Sequence, residues 1–289
     1  MKRFSLLLFF SVLASLAPAE VHDVSAIINS DQEIPAPSGV SSSAGGFAHL
    51  QYDDVSNELS WNIAWQDLTG DAVGMHFHGP AAIGNTAGVA LNIGDVSGLA
   101  SPSVGSAVIT DDFAASLLAG ESYINIHTAT NGPGEIRGQV NPANINLSAT
   151  LDTAQEIPAP TGVSADAGGH ALLAYDPSTN LLGWNISWEN LTGPPVGMHF
   201  HGPAAAGDTA GVVVNIGEIS GLSNPSIGST VISDEFESQL LGGRWYINVH
   251  TATNGPGEIR GQVVPEPTSL SLLLISCCGV VSFCRRRVR

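Results

Sequence analysis

The chain has 289 residues, enough for two ordinary domains, and sets 26 acidic residues against nine basic ones, a formal charge of −17. Such a surface repels phosphate backbones, which excludes nucleic acid as a partner. The three cysteines, Cys277, Cys278 and Cys284, all fall near one end, so no disulfide framework holds the rest and a hydrophobic core must.

In chain order, Met1-Lys2-Arg3, an apolar run and the small-residue pattern Ala17-Pro18-Ala19 predict a secretory signal over residues 1–19. From residue 20 to 264 only Arg137, Arg244 and Arg260 face 25 acids, a formal charge of −22. The stretch that follows reads as short strands separated by Gly, Pro, Asn and Asp clusters. "GFAHLQY" (46–52) is the first clear strand. "ELSWNIAW" (58–65) puts Leu59, Trp61, Ile63 and Trp65 on one face, which assigns both tryptophans to the core.

"VGMHFHGPAA" (73–82) carries two histidines one residue apart. Side chains alternate in a strand, so Met75 and Phe77 share the buried face while His76 and His78 emerge together on the other. "VALNI" (89–93) and "SVGSAVIT" (103–110) are further strands, and "TDDFAASLLAG" (110–120) reads as one short helix opened by Asp111 and Asp112. In "SYINIH" (122–127) Ile124 and Ile126 point in, and Tyr123, Asn125 and His127 point out. "NGPGE" (131–135) reads as a hairpin turn. "EIRGQV" (135–140) turns Ile136 and Val140 inward, and Glu135, Arg137 and Gln139 outward. Glu135 and Arg137 are expected to form a same-face ion pair.

Everything from Val24 to Val140 then recurs, without insertion, 123 residues later: Glu33 as Glu156, His76 as His199, His78 as His201, His127 as His250, Glu135 as Glu258, and Arg137 as Arg260. This is a tandem duplication, since the period far exceeds that of solenoid arrays. The expected domains are 20–141 and 147–263, joined by a linker at 142–146. Trp184 and Trp188 repeat the core tryptophans. Trp245 stands where the first copy has Ser122, and is expected to be partly exposed and to meet the other domain. His22, His49 and His170 read as surface residues. The predicted fold is all-β: two similar Greek-key β-sandwich or flattened-barrel domains of about eight strands, each with one short helix.

Residues 264–289 begin Val264-Pro265-Glu266-Pro267, continue as an apolar run from about Leu270 to Cys284 and end in an arginine cluster. This segment resembles the PEP-CTERM sorting tail of bacterial surface proteins. The resemblance implies recognition by an exosortase-type enzyme and contact with the membrane through the tail alone.

"GMHFHGPAAIGNTAGVALNIG" with "LLAGESYINIHTATNGPGEIRGQV", and their second copies, resemble the CHRD domain first defined in chordin. In animal chordins that domain belongs to a growth-factor antagonist. The cysteine-rich modules that accompany it there are missing here, so growth-factor binding does not carry over. The resemblance implies an exported, non-enzymatic cell-surface or matrix protein whose partner is an extracellular protein or polysaccharide.

The histidines admit two readings. Imidazoles at i and i+2, joined by a third, can converge on copper or zinc with an open position, giving the sets His76/His78/His127 and His199/His201/His250. "HFHGPAAIGNTAG" is also similar to a segment of copper/zinc superoxide dismutase. The chain lacks that family's bridging histidine and disulfide, so dismutase activity does not follow. Alternatively the rings pin the sharp turn after the strand through hydrogen bonds to loop carbonyls. No Ser/His/Asp set, paired carboxylates, EF-hand or phosphate loop stands out.

Overall fold

A computed structural model describes residues 20–266. The predicted signal at 1–19 and nearly all of the predicted tail at 264–289 fall outside them. The first domain runs β1 (Val21–Asn29), a 3-10 turn (Ser30–Gln32), β2 (Gly45–Asp53), β3 (Glu58–Gln66), β4 (Ala72–His78), β5 (Val89–Asn92), α1 (Ile93–Ser97), β6 (Ser103–Val108), α2 (Asp111–Leu118), β7 (Tyr123–Thr128) and β8 (Ile136–Gln139). The eight strands form one curled antiparallel sheet in the order β5-β4-β7-β8-β1-β2-β3-β6. The chain lays down the meander β1-β2-β3, crosses to β4-β5, returns to place β6 beside β3, and crosses again so that β7 and β8 fill the gap between β4 and β1. The site strands β4, β7 and β8 are thus neighbours although about 60 residues separate the first from the last.

Period-two alternation builds the core. Leu59, Trp61 and Ile63 of β3, Met75 and Phe77 of β4, and Ile124 and Ile126 of β7 are all buried in one cluster. Full burial of side chains of this size contributes about 1.5–3 kcal/mol each. The indole N–H of Trp61 donates to Ser97 Oγ, so the ring's one polar atom is satisfied inside the domain. Trp65 is buried with it. Helix α2 starts where expected: the Thr110 hydroxyl accepts from the Phe113 N–H, and Asp111 and Asp112 sit in the positive first turn. The domain has a second helix, α1, that the strand-like run 89–93 conceals. It lasts five residues, capped by Asn92 and stopped at Gly98, too short to show a helical period.

The second domain repeats the order with β9 (Ile145–Asp152), β10 (Gly168–Asp176), β11 (Leu181–Glu189), β12 (Pro195–His201), β13 (Val212–Asn215), α3 (Ile216–Ser220), β14 (Ser226–Val231), α4 (Asp234–Leu241), β15 (Tyr246–Thr251) and β16 (Ile259–Gln262). A two-residue strand, β17 (Val264–Pro265), pairs with β9, so the first residues assigned to the tail extend the sheet. Among the described residues no helix is long and apolar enough to cross a membrane.

The domains meet asymmetrically. Ile27, Phe47 and Ala64 on the outer face of β1-β2-β3 pack against Ala174 and Ile227 of the second domain. Gln66 brackets the joint, donating to Ser220 O at 2.8 Å and accepting from Ile227 N at 3.0 Å. Ser25 donates to Asn146 Oδ1 at 2.7 Å across the linker.

Trp245 corrects an expectation. It is completely buried in the core of its own domain, against Phe200 and Phe236, and takes no part in the domain contact. Its indole N–H faces Gln239 Oε1 at 3.3 Å. In the first copy the same two places hold Ser122 and Ser116, hydrogen-bonded at 2.8 Å. The pair changed together, small for large. Of the histidines read as surface residues, His170 is exposed, whereas His22 lies half-buried against the Tyr52 ring and His49 faces Asp23 at 3.5 Å.

Candidate metal centre

Strands β4 and β7 pair antiparallel, with Gly74 opposite His127, His76 opposite Asn125 and His78 opposite Tyr123. Residues 74, 76 and 78 project to one face together with 123, 125 and 127. One ring nitrogen from each of His76, His78 and His127 lies within 4.8 Å of the other two, and the same holds for His199, His201 and His250. The closest approach is His76 Nδ1 to His127 Nε2, 3.0 Å; in the second domain His199 and His250 stand 3.1 Å apart. Three nitrogens about 2.0–2.1 Å from one tetrahedral zinc are about 3.4 Å from each other; the closest pair stands a few tenths of an ångström inside that value and all three lie within 4.8 Å.

The tautomers follow from the partners. His78 Nδ1 lies 3.0 Å from Ala87 O and His127 Nδ1 lies 3.0 Å from Gly132 O. A carbonyl only accepts, so both Nδ1 atoms carry hydrogen and both Nε2 atoms present lone pairs toward the cluster. His78 Nε2 is buried with no hydrogen-bond partner, as is His201 Nε2 in the other copy. Burial, with the neighbouring imidazoles adding to it, holds the pKa of His76 below the ordinary histidine value; burial also lowers His78 and His127. All three rings are neutral near pH 7, the form that binds a metal.

The rest of the polar face is covered by loops. Tyr123 stacks on His78 with ring centroids 4.8 Å apart, and its hydroxyl accepts from Ala87 N–H at 3.2 Å. Arg137 lies with its guanidinium 3.5 Å from the Tyr123 ring centroid and donates to Asn85 O at 2.8 Å. Gln139 donates to Ala81 O and Gly120 O. The loop from Gly79 to Gly88 is thereby strapped over His78.

Glu135 and Arg137 are both buried, but they do not pair. Glu135 accepts from Thr69 N–H at 2.6 Å, Thr69 Oγ1–H and Thr128 Oγ1–H at 2.5 Å each, and Asn131 Nδ2 at 3.1 Å. Burial pushes this carboxyl up, yet the four donors outweigh it and hold the pKa below the usual glutamate value. Glu258 repeats the arrangement with Thr192, Thr251 and Asn254. Residues two apart on a strand share a side, but loops from distant segments reached each of them first.

The carboxylate whose charge Arg137 feels is Glu33, which alternation gave no reason to single out. Burial raises its pKa, and it accepts from Ile34 N–H and Asn125 Nδ2. The signal that would have found it is the "QEIPAP" segment, unchanged in both copies although it lies in a loop.

Comparison with known proteins agrees with this duplicated architecture. The CHRD domain model matches residues 24–140 and again 147–263. The chain belongs to the CHRD family. A curated relative of this CHRD protein, chordin from Danio rerio, is 31% identical over 184 residues, which is 55% of this chain and 19% of chordin. The chain therefore spans about a fifth of that relative's length. No solved structure gives a significant match.

Proposed function

We propose that this protein is an exported transition-metal-binding module, with one copper or zinc ion held by three histidines in each CHRD domain. The observation that carries the reading is the buried, unpartnered Nε2 of His78 and of His201. A hydrogen bond left unmade on a buried polar atom costs about 1–3 kcal/mol, and here the same cost is accepted twice, each time beside a His–His pair in which His76 Nδ1–H donates to His127 Nε2, or His199 Nδ1–H to His250 Nε2. A cation that displaced the proton shared by the bonded pair would give the bare nitrogen and both of its neighbours one common partner. The backbone carbonyls of Ala87 and Gly132 fix the ring orientations in advance.

CHRD domains are typical of extracellular proteins, and in chordin they serve as extracellular binding modules. For this chain we propose export through the N-terminal segment and retention at a bacterial surface through the PEP-CTERM-like tail. The partner proposed there is an extracellular protein or polysaccharide.

Full-length chain, stripped with a chelator and reloaded with copper(II) or zinc, is expected to hold two ions per chain by elemental analysis after desalting. The double variant His78→Ala/His201→Ala is expected to hold none. Trace metal in the wild type would reject the proposal.

A further inference from the structure

We propose that the ion in each domain carries a fourth, exchangeable ligand, a water or a small anion, seated against Gly74 in the first domain and Gly197 in the second. This rests on the metal reading above and adds to it what the ion presents to the outside.

The protein supplies three donors. Among the described residues no fourth His, Cys, Asp or Glu joins either cluster. The acid near His76, Asp95, is engaged by Asn92 Nδ2 at 2.8 Å. A zinc or copper ion with three protein nitrogens completes its shell from solution.

The position of that ligand follows from the one place on the face where a side chain is missing. Gly74, His76 and His78 alternate onto the same side of β4, and Gly74 lies opposite His127. A Cβ at residue 74 would stand 3.2 Å from His76 Cε1 and 3.4 Å from His127 Cδ2. These carbons are bonded to the two nitrogens in closest contact, so a side chain at 74 would press on both ligand rings and crowd the side of the ion that faces the glycine. Gly197 has the same relation to His199 Cε1 at 3.2 Å and His250 Cδ2 at 3.5 Å. Neither glycine needs a left-handed backbone, so conformational freedom does not explain them.

Access is one-sided. The stack on Tyr123 and the loop from Gly79 to Gly88 close the His78 side. Gly74, His76 and His127 are only half-buried. Charge favours an anion once a ligand arrives: three neutral imidazoles leave the ion's charge uncancelled.

The test uses the full chain loaded with cobalt(II) or copper(II) and titrated with azide, read by visible absorption. A saturable spectral change at two azides per chain is expected. Water-proton relaxation by the copper(II)-loaded wild type, quenched by azide, reads the exchangeable position without any variant. Gly74→Ala/Gly197→Ala, whose added methyls press on the ligand rings, is scored per metal actually bound and is expected to bind azide at least tenfold more weakly. Two bound metals with neither an azide response nor relaxation enhancement would overturn the fourth ligand while leaving the metal reading intact. Wild-type azide affinity in the glycine variant would overturn its placement. A wild-type chain that takes up no metal would instead remove the reading on which this rests.

Discussion

Replacing Glu135 by Gln tests whether the buried carboxylate organises the loop that positions a metal ligand. Glu135 is fully buried and accepts four hydrogen bonds, one on Oε1 and three on Oε2. A glutamine places an NH2 against either the Thr69 backbone N–H or the group of Thr69, Thr128 and Asn131 donors. In either orientation at least one buried donor loses its acceptor and the others lose a charged one. Hydrogen bonds to charged groups contribute about 1.5–3 kcal/mol each, without simple additivity, so the first domain should lose about 3–5 kcal/mol. Glu135 also holds Asn131, next to Gly132, whose carbonyl fixes His127; metal affinity should fall with stability. The pKa of Glu135 is depressed, so its contribution is complete above the unfolded glutamate pKa and is lost as pH falls through the folded value. Urea unfolding of the metal-free protein at pH 7 and at successive pH values below 4 reads both effects. A change below about 1 kcal/mol at pH 7, or one independent of pH, would refute the reasoning.

The other expectations concern separate parts of the molecule. Ile227→Asp buries an unpaired carboxylate at the domain contact, where Ile227 is 0% exposed; the domains should separate, with an increased radius of gyration by solution scattering. Val104→Asp, at the equivalent but 64% exposed position, should change stability by less than about 0.5 kcal/mol. Glu33 and Glu156 have raised pKa values through burial, so each stabilises fully below the unfolded pKa and loses that contribution as pH rises through the folded one. Glu33→Gln/Glu156→Gln should therefore remove a decline in urea midpoint with rising pH that the wild type shows. Zinc at about 100 times its Kd should stabilise each domain by about 2.7 kcal/mol, and a chelator should abolish the gain in calorimetry.

Much of the fold was legible because the side-chain period of a strand is two. Met75 and Phe77 are buried, and His76 and His78 share the opposite face, as alternation requires. The duplication offset made the second domain readable from the first. Alternation states which side a residue faces and nothing about what covers it. It therefore could not pair Glu135 with Thr69, or Arg137 with Asn85, since those contacts depend on loops 66 and 52 residues away in sequence. Trp245 was misplaced for a related reason: one substitution was visible, but the compensating change from Ser116 to Gln239 matters only once α4 and β15 are known to touch. The third histidine was legible as a candidate, but its convergence with the other two depends on β4 and β7 being neighbours, which their separation in sequence hides.

The differences between the two copies separate what the duplication must keep from what it must change. Both histidine trios, both glycines beside them and both buried glutamate hubs are the same residues. The domain contact is the reverse. Ile27, Phe47 and Ala64, the apolar face that receives the second domain, correspond to Thr150, His170 and Ser187 in the second copy. Ile227 and Ala174, which enter that face, correspond to Val104 and Gln51 in the first. An interface that joins the front of one domain to the back of the next would continue indefinitely if both copies were alike, because a head-to-tail contact leaves one unsatisfied surface at each end. Thr150, His170 and Ser187 at one end, and Gln51 beside the still apolar, 64% exposed Val104 at the other, weaken the drive for a third partner. The site tolerates no comparable change, because its geometry lies within a single domain and each copy must build it alone.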